Sequence, residues 1–284
     1  MIYDCFPFHN ELDVLDIRLH ELSPVVDRFV IVEATRTHQG APKPLYFDEN
    51  KALFKEFASK INHVVIDFPQ QIDNRFGRRR NQIWAREYHQ RDQIGLGLGT
   101  ATADDLIIVS DMDEIIRATT LRNALKARPK FSLTIFDVPV YEFYVNRRAK
   151  RNPGWLRSCP RMIEFSHFSS AQKLRMTKPF TSKRMRGTWL NRMHTKLYNG
   201  IICGIWDPLF IVEDAGWHFS SMGGWNRYRH KLSSNAHVDH MEFPMFKSEV
   251  AFANNIVEST TPVDGAELPE FVKKNPDRYP LFAG

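Results

Sequence analysis

An α/β fold on a doubly wound, mostly parallel sheet is predicted by three observations. Short apolar runs alternate with amphipathic stretches through the first 125 residues. Two of those runs, FVIVE at 29–33 and LIIVS at 106–110, lack the apolar/polar alternation of a one-sided strand and suit strands covered on both faces. At 284 residues, with 43% apolar and 25% charged, the chain can enclose such a sheet in a sizeable core. The same composition excludes disorder, collagen-like repeats and a disulfide-stapled miniprotein. There is no run of about 18 apolar residues to span a membrane.

The elements follow in order. Residues 2–6 predict a strand. Asn10 is placed to cap a helix over 11–22, which sets Leu12, Leu15, Leu19 and Leu22 on one face, and Pro24 helps end it. Strand 29–33 follows, then a helix over 50–59, a strand over 63–67 and an Arg-rich helix over 77–91. A glycine loop at 95–99 leads to strand 106–110. Residues 131–144 suggest one or two strands, with Pro139 marking an edge or a bulge. Residues 194–197 and 209–212 predict short strands, and 225–236 and 246–258 predict helices. From Pro262 onward the chain is expected to wrap the surface. A soft boundary falls near 115–130, without a flexible linker.

Cys5, Cys159 and Cys203 are odd in number and widely spaced, neither a disulfide framework nor a zinc site, which points to a reducing compartment. The opening MIYDCFPFHNELD has no basic and no long apolar region, so no signal peptide is expected and the expected location is cytoplasmic. The net charge is +6, but residues 147–196 hold fourteen Lys/Arg against one acid, Glu164, a local +13 that leaves −7 for the rest. Such a block suits phosphates, nucleic acid, acidic glycans or an acidic membrane surface, or is simply a biased solvated face. A nucleic-acid-binding protein using this block is one reading, because its basic residues are interleaved with aromatics; no nucleic-acid motif accompanies it.

The sharpest motif is Asp111-Met112-Asp113-Glu114, which follows LIIVS directly and contains the one D-x-D of the chain. Carboxylates at the exit of a buried parallel strand stand where α/β sheets bind ligands. Two of them one residue apart suit a hard divalent cation, Mn²⁺ or Mg²⁺, which can bridge the phosphates of a nucleotide. The other reading is N-capping by Asp111 or Asp113 of a helix over 115–125.

The opening Tyr3-Asp4-Cys5-Phe6-Pro7-Phe8-His9-Asn10-Glu11-Leu12-Asp13 resembles the start of glycosyltransferase family 17. The resemblance continues through Arg18-Leu19-His20-Glu21-Leu22, Val25 to Glu33, Gly40, Lys43-Pro44-Leu45, Arg86-Glu87, Arg91-Asp92, Asp111-Met112-Asp113-Glu114-Ile115 and Ala215-Gly216-Trp217-His218-Phe219-Ser220. The family includes the enzyme that adds the bisecting β-1,4-linked N-acetylglucosamine to N-glycans. Residues 140–200 match poorly, and no Cys follows Trp217-His218 as it does in animal Golgi members, so the chain looks like a bacterial or viral relative. The resemblance implies a GT-A sandwich, a divalent metal, a UDP-sugar donor, expected to be UDP-N-acetylglucosamine, and an inverting transfer to a glycan or glycolipid hydroxyl. It divides a single continuous domain into a nucleotide-sugar half, 1–125, and an acceptor half with the C-terminal wrap, 126–284. Another donor sugar on the same fold stays open, and nucleic acid is not an expected partner.

Roles follow residue by residue. His218 completes a metal shell with Asp111 and Asp113, or is a buried histidine satisfied by backbone. Trp217 is expected in the core or as a floor for a sugar ring. An inverting transfer needs one base; Asp214 is the first candidate and Glu213 the second, although the pair also suits a solvated turn before Gly216. Glu114 is a third candidate, more suited to supporting the metal shell. Glu33, at the end of its strand, is a candidate acceptor for uracil or ribose. Arg78, Arg79 and Arg80, with Arg86 further along, are candidates for phosphate or uridine contact, as are Lys231 and His237 after Gly223-Gly224.

Overall fold

The computed structural model describes residues 1–72, 82–150, 159–180, 187–234 and 243–278, with the side chains of 231–234 excepted. The first strands are β1 (Ile2–Phe8), β2 (Arg28–Ala34), β3 (Ile61–Ile66), β4 (Leu106–Val109), β5 (Glu114–Ile116) and β6 (Leu133–Phe136). The others are β7 (Val140–Glu142), β8 (Arg147–Ala149), β9 (Arg161–Glu164), β10 (Leu209–Val212), β11 (Gly216–Ser220) and β12 (Thr260–Pro262). The helices are α1 (Leu12–Leu22), α2 (Tyr46–Asn50), α3 (Gln82–Asp92), α4 (Ala118–Ala127) and α5 (Ala171–Met176). They continue with α6 (Trp189–Tyr198), α7 (Gly224–Ser234), α8 (Pro244–Lys247), α9 (Glu249–Ser259) and α10 (Glu270–Lys274).

A seven-stranded sheet runs β10-β6-β9-β4-β1-β2-β3. β9 is antiparallel to both neighbours, and the other pairings are parallel. This is the mostly parallel α/β sandwich that the sequence predicts. Its core explains why FVIVE and LIIVS carry no polar face: Val30, Ile31, Val32, Ile107, Ile108 and Val109 are all at 0% exposure. Burying each contributes roughly 1.5–3 kcal/mol. A second, five-stranded sheet, β12-β8-β7-β11-β5, draws its strands from 114–262 and carries the far side of the site.

Several local expectations give way. Helix α1 starts at Glu11, which caps without a side-chain bond; Asn10 contributes only its carbonyl, to the Leu12 N–H. The predicted helix over 50–59 is mostly a 3-10 segment, Lys51–Phe57, and the loop at 95–99 belongs to another, Gln93–Leu98. The predicted strand at 194–197 is inside α6, whose start is capped by the Thr188 side chain accepting from the Asn191 N–H. Most consequential, the helix expected over 115–125 begins at Ala118. Residues 114–116 are instead β5, paired antiparallel to β11, so neither Asp111 nor Asp113 is a helix cap.

Candidate active site

The parallel register of β1 to β4 carries His9, Thr35, Asp67 and Ser110-Asp111 to the C-terminal edge of the main sheet, the usual ligand edge of such folds. There the Asp111–Glu114 turn is held from below by Arg18. The Arg18 guanidinium is fully buried, pairs with the fully buried Asp4 (Nε to Oδ2 2.7 Å) and donates to Ser110 Oγ at 2.6 Å. Its Nη1 donates to the carbonyl oxygens of Asp111, Met112 and Glu114 at 3.1, 3.1 and 2.9 Å. Three carbonyls converging on one cation fix the turn's path. The five planar donors of arginine suit that task and the single ammonium of lysine does not.

Asp111 gives its two oxygens to two arginines, Oδ1 to Arg91 at 2.9 Å and Oδ2 to Arg175 at 2.7 Å. Burial disfavours its ionisation, but Arg175 and Arg91 outweigh burial and hold the carboxyl well below the usual range. Its side chain stays 38% exposed at the rim. Glu114 is fully buried, takes Arg175 at 2.7 Å and accepts the Asp111 N–H at 3.0 Å. Burial pushes its carboxyl up, against the pull of Arg175. Arg91 is braced by Glu87 one helical turn away (2.9 Å) and by Gln172 on α5 (2.6 Å).

Asp113 meets His218 instead: Oδ1 and Nε2 are 3.5 Å apart, with side-chain exposures of 13% and 11%. Their backbones are joined as well, since the Phe219 N–H donates to the Asp113 carbonyl at 2.7 Å. Register then adds a residue that sequence reasoning missed. On the second sheet His218 lies opposite Glu114 on β5 and Val140 on β7, and Ser220 lies opposite Glu142. Side chains alternate along strands, so Glu114, His218, Glu142 and Ser220 share one face. Glu142 is half-buried, and burial raises its carboxyl, with His218 opposing. No local motif marks Glu142; only the pairing of β7 with β11 brings it here. The chain leaves this face through Phe143 and Ser221, both in the left-handed region at φ 70° and 58°. Such strain in bulky or polar residues accumulates at functional sites.

Gly216 is required where β11 crosses β5: a Cβ there would stand 2.0 Å from the Ile115 carbonyl oxygen. Trp217 is core, 1% exposed, donating to the Glu267 carbonyl at 2.7 Å. Beyond Phe219, a cleft of about 310 Å³ opens between the β1–α1 connection and α7, lined among others by Asn10, Asp13, Met222 and Arg227.

Glu213, Asp214, Glu33 and Arg86 are not brought to this face. Glu213 and Asp214 are exposed in the turn before β11, and Asp214, at φ 49°, lies 3.7 Å from Arg148. Asp214 lies four residues before His218 and ahead of the first residue of β11, about 13 Å away by strand rise, so it does not join the face shared by Glu114, His218 and Glu142. Glu33 is corrected too. It is at 0% exposure, and its oxygens are occupied by Lys43 (3.2 Å), His63 (3.1 Å) and the Phe47 N–H (3.2 Å). It anchors the 43–47 segment to β2 and has no surface left for uracil or ribose. Arg78, Arg79, Arg80 and His237 lie outside the described residues. Lys231 lies on α7, with its side chain outside them. Arg86 is turned to the backbone, donating to the His38 carbonyl at 2.9 Å.

The Asp113–His218 pair can hold a divalent cation. Two ligand atoms on adjacent corners of an octahedron stand about 3 Å apart when each is near 2.1 Å from the metal, so 3.5 Å needs only slight closure. Among the described residues no group of three or more His, Cys, Asp or Glu gathers as a metal cage. The remaining corners would fall to water and a nucleotide's phosphates, the usual arrangement for such ions. Cys5, Cys159 and Cys203 are buried free thiols, and no helix among the described residues is long and apolar enough to cross a membrane.

Beta-1,4-mannosyl-glycoprotein 4-beta-N-acetylglucosaminyltransferase from Homo sapiens is 35% identical over 113 residues, 38% of this chain and 20% of that protein. The Rattus norvegicus enzyme of the same name is 33% identical over 120 residues, 40% of this chain and 21% of that protein. The aligned part is thus about a fifth of the length of these curated relatives. Among solved structures, glucosyl-3-phosphoglycerate synthase from Mycobacterium tuberculosis, in complex with Mn²⁺, UDP-glucose and glycerol 3-phosphate, aligns over 96% of this chain and 91% of its own. Its identity is 12% and its TM-score 0.37. A 4-diphosphocytidyl-2C-methyl-D-erythritol synthase aligns over 75% and 88%, at 15% identity and a TM-score of 0.38. The profile of glycosyltransferase family 17 matches residues 1–174, more than half of the chain and inclusive of Arg18, Asp111, Asp113 and Glu142. The chain belongs to glycosyltransferase family 17.

Proposed function

We propose that this glycosyltransferase is metal-dependent and inverting, and that it moves N-acetylglucosamine from UDP to a glycan or glycolipid hydroxyl. The carrying observation is the Asp113–His218 pair, held 3.5 Å apart beside the sheet edge where a nucleotide diphosphate would lie. The names of the curated relatives support the choice of sugar. A Mn²⁺ or Mg²⁺ ion bound there supplies Lewis-acid neutralisation of the departing diphosphate.

The chain's own residues do the rest. Arg18 fixes the turn that aims Asp113. Asp111, ionised and oriented by Arg91 and Arg175, keeps lone pairs at the rim to accept from a ribose hydroxyl. Asp67, at the end of β3 and steadied by Thr35 (2.6 Å) and Arg36 (3.3 Å), offers a second acceptor for the nucleoside. Glu142 takes the acceptor hydroxyl's proton onto a carboxylate oxygen as that hydroxyl attacks, a role its burial suits. One displacement with one base inverts the anomeric centre.

The test is a UDP-release screen over UDP-sugars with Mn²⁺, followed by the anomeric configuration of the product. Preference for UDP-N-acetylglucosamine, loss of turnover in chelator and a β-linked product support the reading. Full turnover in excess chelator or a retained α-configuration would contradict it.

A further inference from the structure

Helix α6 is amphipathic the wrong way round for a helix that only packs on a core. Its polar Asn191 and Thr195, with Asn199 just beyond, are 3%, 2% and 3% exposed and face the protein. Its apolar residues face out: Trp189, Leu190, Met193 and Leu197, continued by Ile201 and Ile202 in the following π-helical turn. At 100° per residue these outward positions, Ile202 apart, fall within an arc of about 120°. Arg192 and Lys196, both exposed, lie along one margin of the arc and His194 along the other.

Trp206 extends the stripe. Its indole lies over Gly200, where an added Cβ would meet three ring atoms at 2.4 Å, and the residue is 52% exposed. Contiguous apolar surface of this extent marks an interaction site. Its charge selects the partner, since residues 165–206 contain seven Lys/Arg besides the buried, paired Arg175 and no Asp or Glu.

We infer that the α6–Trp206 surface seats the protein on an anionic lipid bilayer, with the apolar stripe entering the headgroup–acyl boundary and Arg192 and Lys196 meeting lipid phosphates. Tryptophan and leucine outward with cations at the margin is the arrangement interfacial helices use. The cationic stems lie along the apolar surface while their charges stay at headgroup level. This goes beyond the transferase reading and stands without it. It also has a structural link to the site, because α5, which supplies Arg175 to Asp111, packs against the π-helical turn after α6.

The test is co-sedimentation of the full chain with phosphatidylglycerol-containing vesicles and with pure phosphatidylcholine vesicles, read together with tryptophan emission. Tight binding to the anionic vesicles with a blue shift, and weak binding to the neutral ones, is expected. Arg192→Gln/Lys196→Gln should weaken binding roughly 30-fold, from about fivefold per cation, and Met193→Asp/Leu197→Asp should abolish it. Leu53→Asp, at an exposed apolar position elsewhere, should leave it unchanged. All sites are exposed, so circular dichroism should show the fold kept, and nucleotide binding in the same variants reports the active site separately. Equal binding of the wild type to neutral vesicles, no binding to either, or a dimer in sedimentation that Leu197→Asp dissolves would each overturn the proposal.

Discussion

Replacing Arg18 by methionine should cost about 4 kcal/mol of stability, because it strands the Asp4 carboxylate at 0% exposure with its buried partner gone. The same change removes the donor shared by the carbonyls of Asp111, Met112 and Glu114. The Asp111 carbonyl contact is part-buried and the other two are buried, but all three are neutral acceptors, so the stranded carboxylate dominates the sum. For a chain of this size about 2 °C of Tm per kcal/mol applies, which predicts a fall of about 8 °C by calorimetry and a lower urea midpoint at unchanged slope. The double variant Asp4→Leu/Arg18→Met, which leaves no orphan charge, should recover at least half of the loss. A change below about 1 kcal/mol in the single variant, or a double variant no more stable than the single one, would refute the reasoning that this pair is the buried support of the turn.

Three further outcomes follow from the site. Glu142→Gln should lower turnover by roughly 10²–10⁴ with donor affinity kept, whereas Asp214→Asn stays within about threefold of wild type; steady-state kinetics with separate nucleotide binding decides between them. Glu33→Gln should destabilise by about 3 kcal/mol in urea unfolding, by loosening Lys43 and His63, while UDP affinity stays within about twofold. His9 adds a pH dependence. Burial lowers its imidazole from 6.5 to about 4, Glu11 opposing and Lys43 assisting. The unfolded chain therefore binds a proton below about 6.5 that the folded chain refuses until about 4. That contribution to stability is complete above the upper value and is lost as pH falls through the window. His9→Gln should flatten this part of the stability–pH curve, and an unchanged slope would remove His9 from the account.

Much of the architecture was legible because buried parallel strands write themselves as uninterrupted apolar runs, and 29–33 and 106–110 are such runs. The second sheet was not, since its strands are three to five residues long and all its pairings but that of β7 with β8 join residues far apart in sequence, as β5 with β11 and β7 with β11 do. That is why Ile115-Ile116 read as the start of a helix and why Glu142 went unnoticed. That Asp113 and His218 lie together could be expected from local context, a strand exit and a Gly-Trp-His-Phe-Ser run. What became of Asp111 could not, because its partners Arg91 and Arg175 come from helices 20 and 64 residues away in sequence. Asp214 and Glu33 show the converse: an acid close in sequence to His218 lies in the turn ahead of its strand, and another at a strand exit has its oxygens taken up by its own fold.

Asp113 and His218 are proposed to share a cation that carries the donor's diphosphate. Calorimetric titration of UDP with and without Mn²⁺ tests it most directly, in wild type and in Asp113→Ala and His218→Ala. Binding that needs Mn²⁺ and weakens at least about tenfold in either variant is the predicted result. UDP binding that is indifferent to Mn²⁺, or unchanged in both variants, would contradict it.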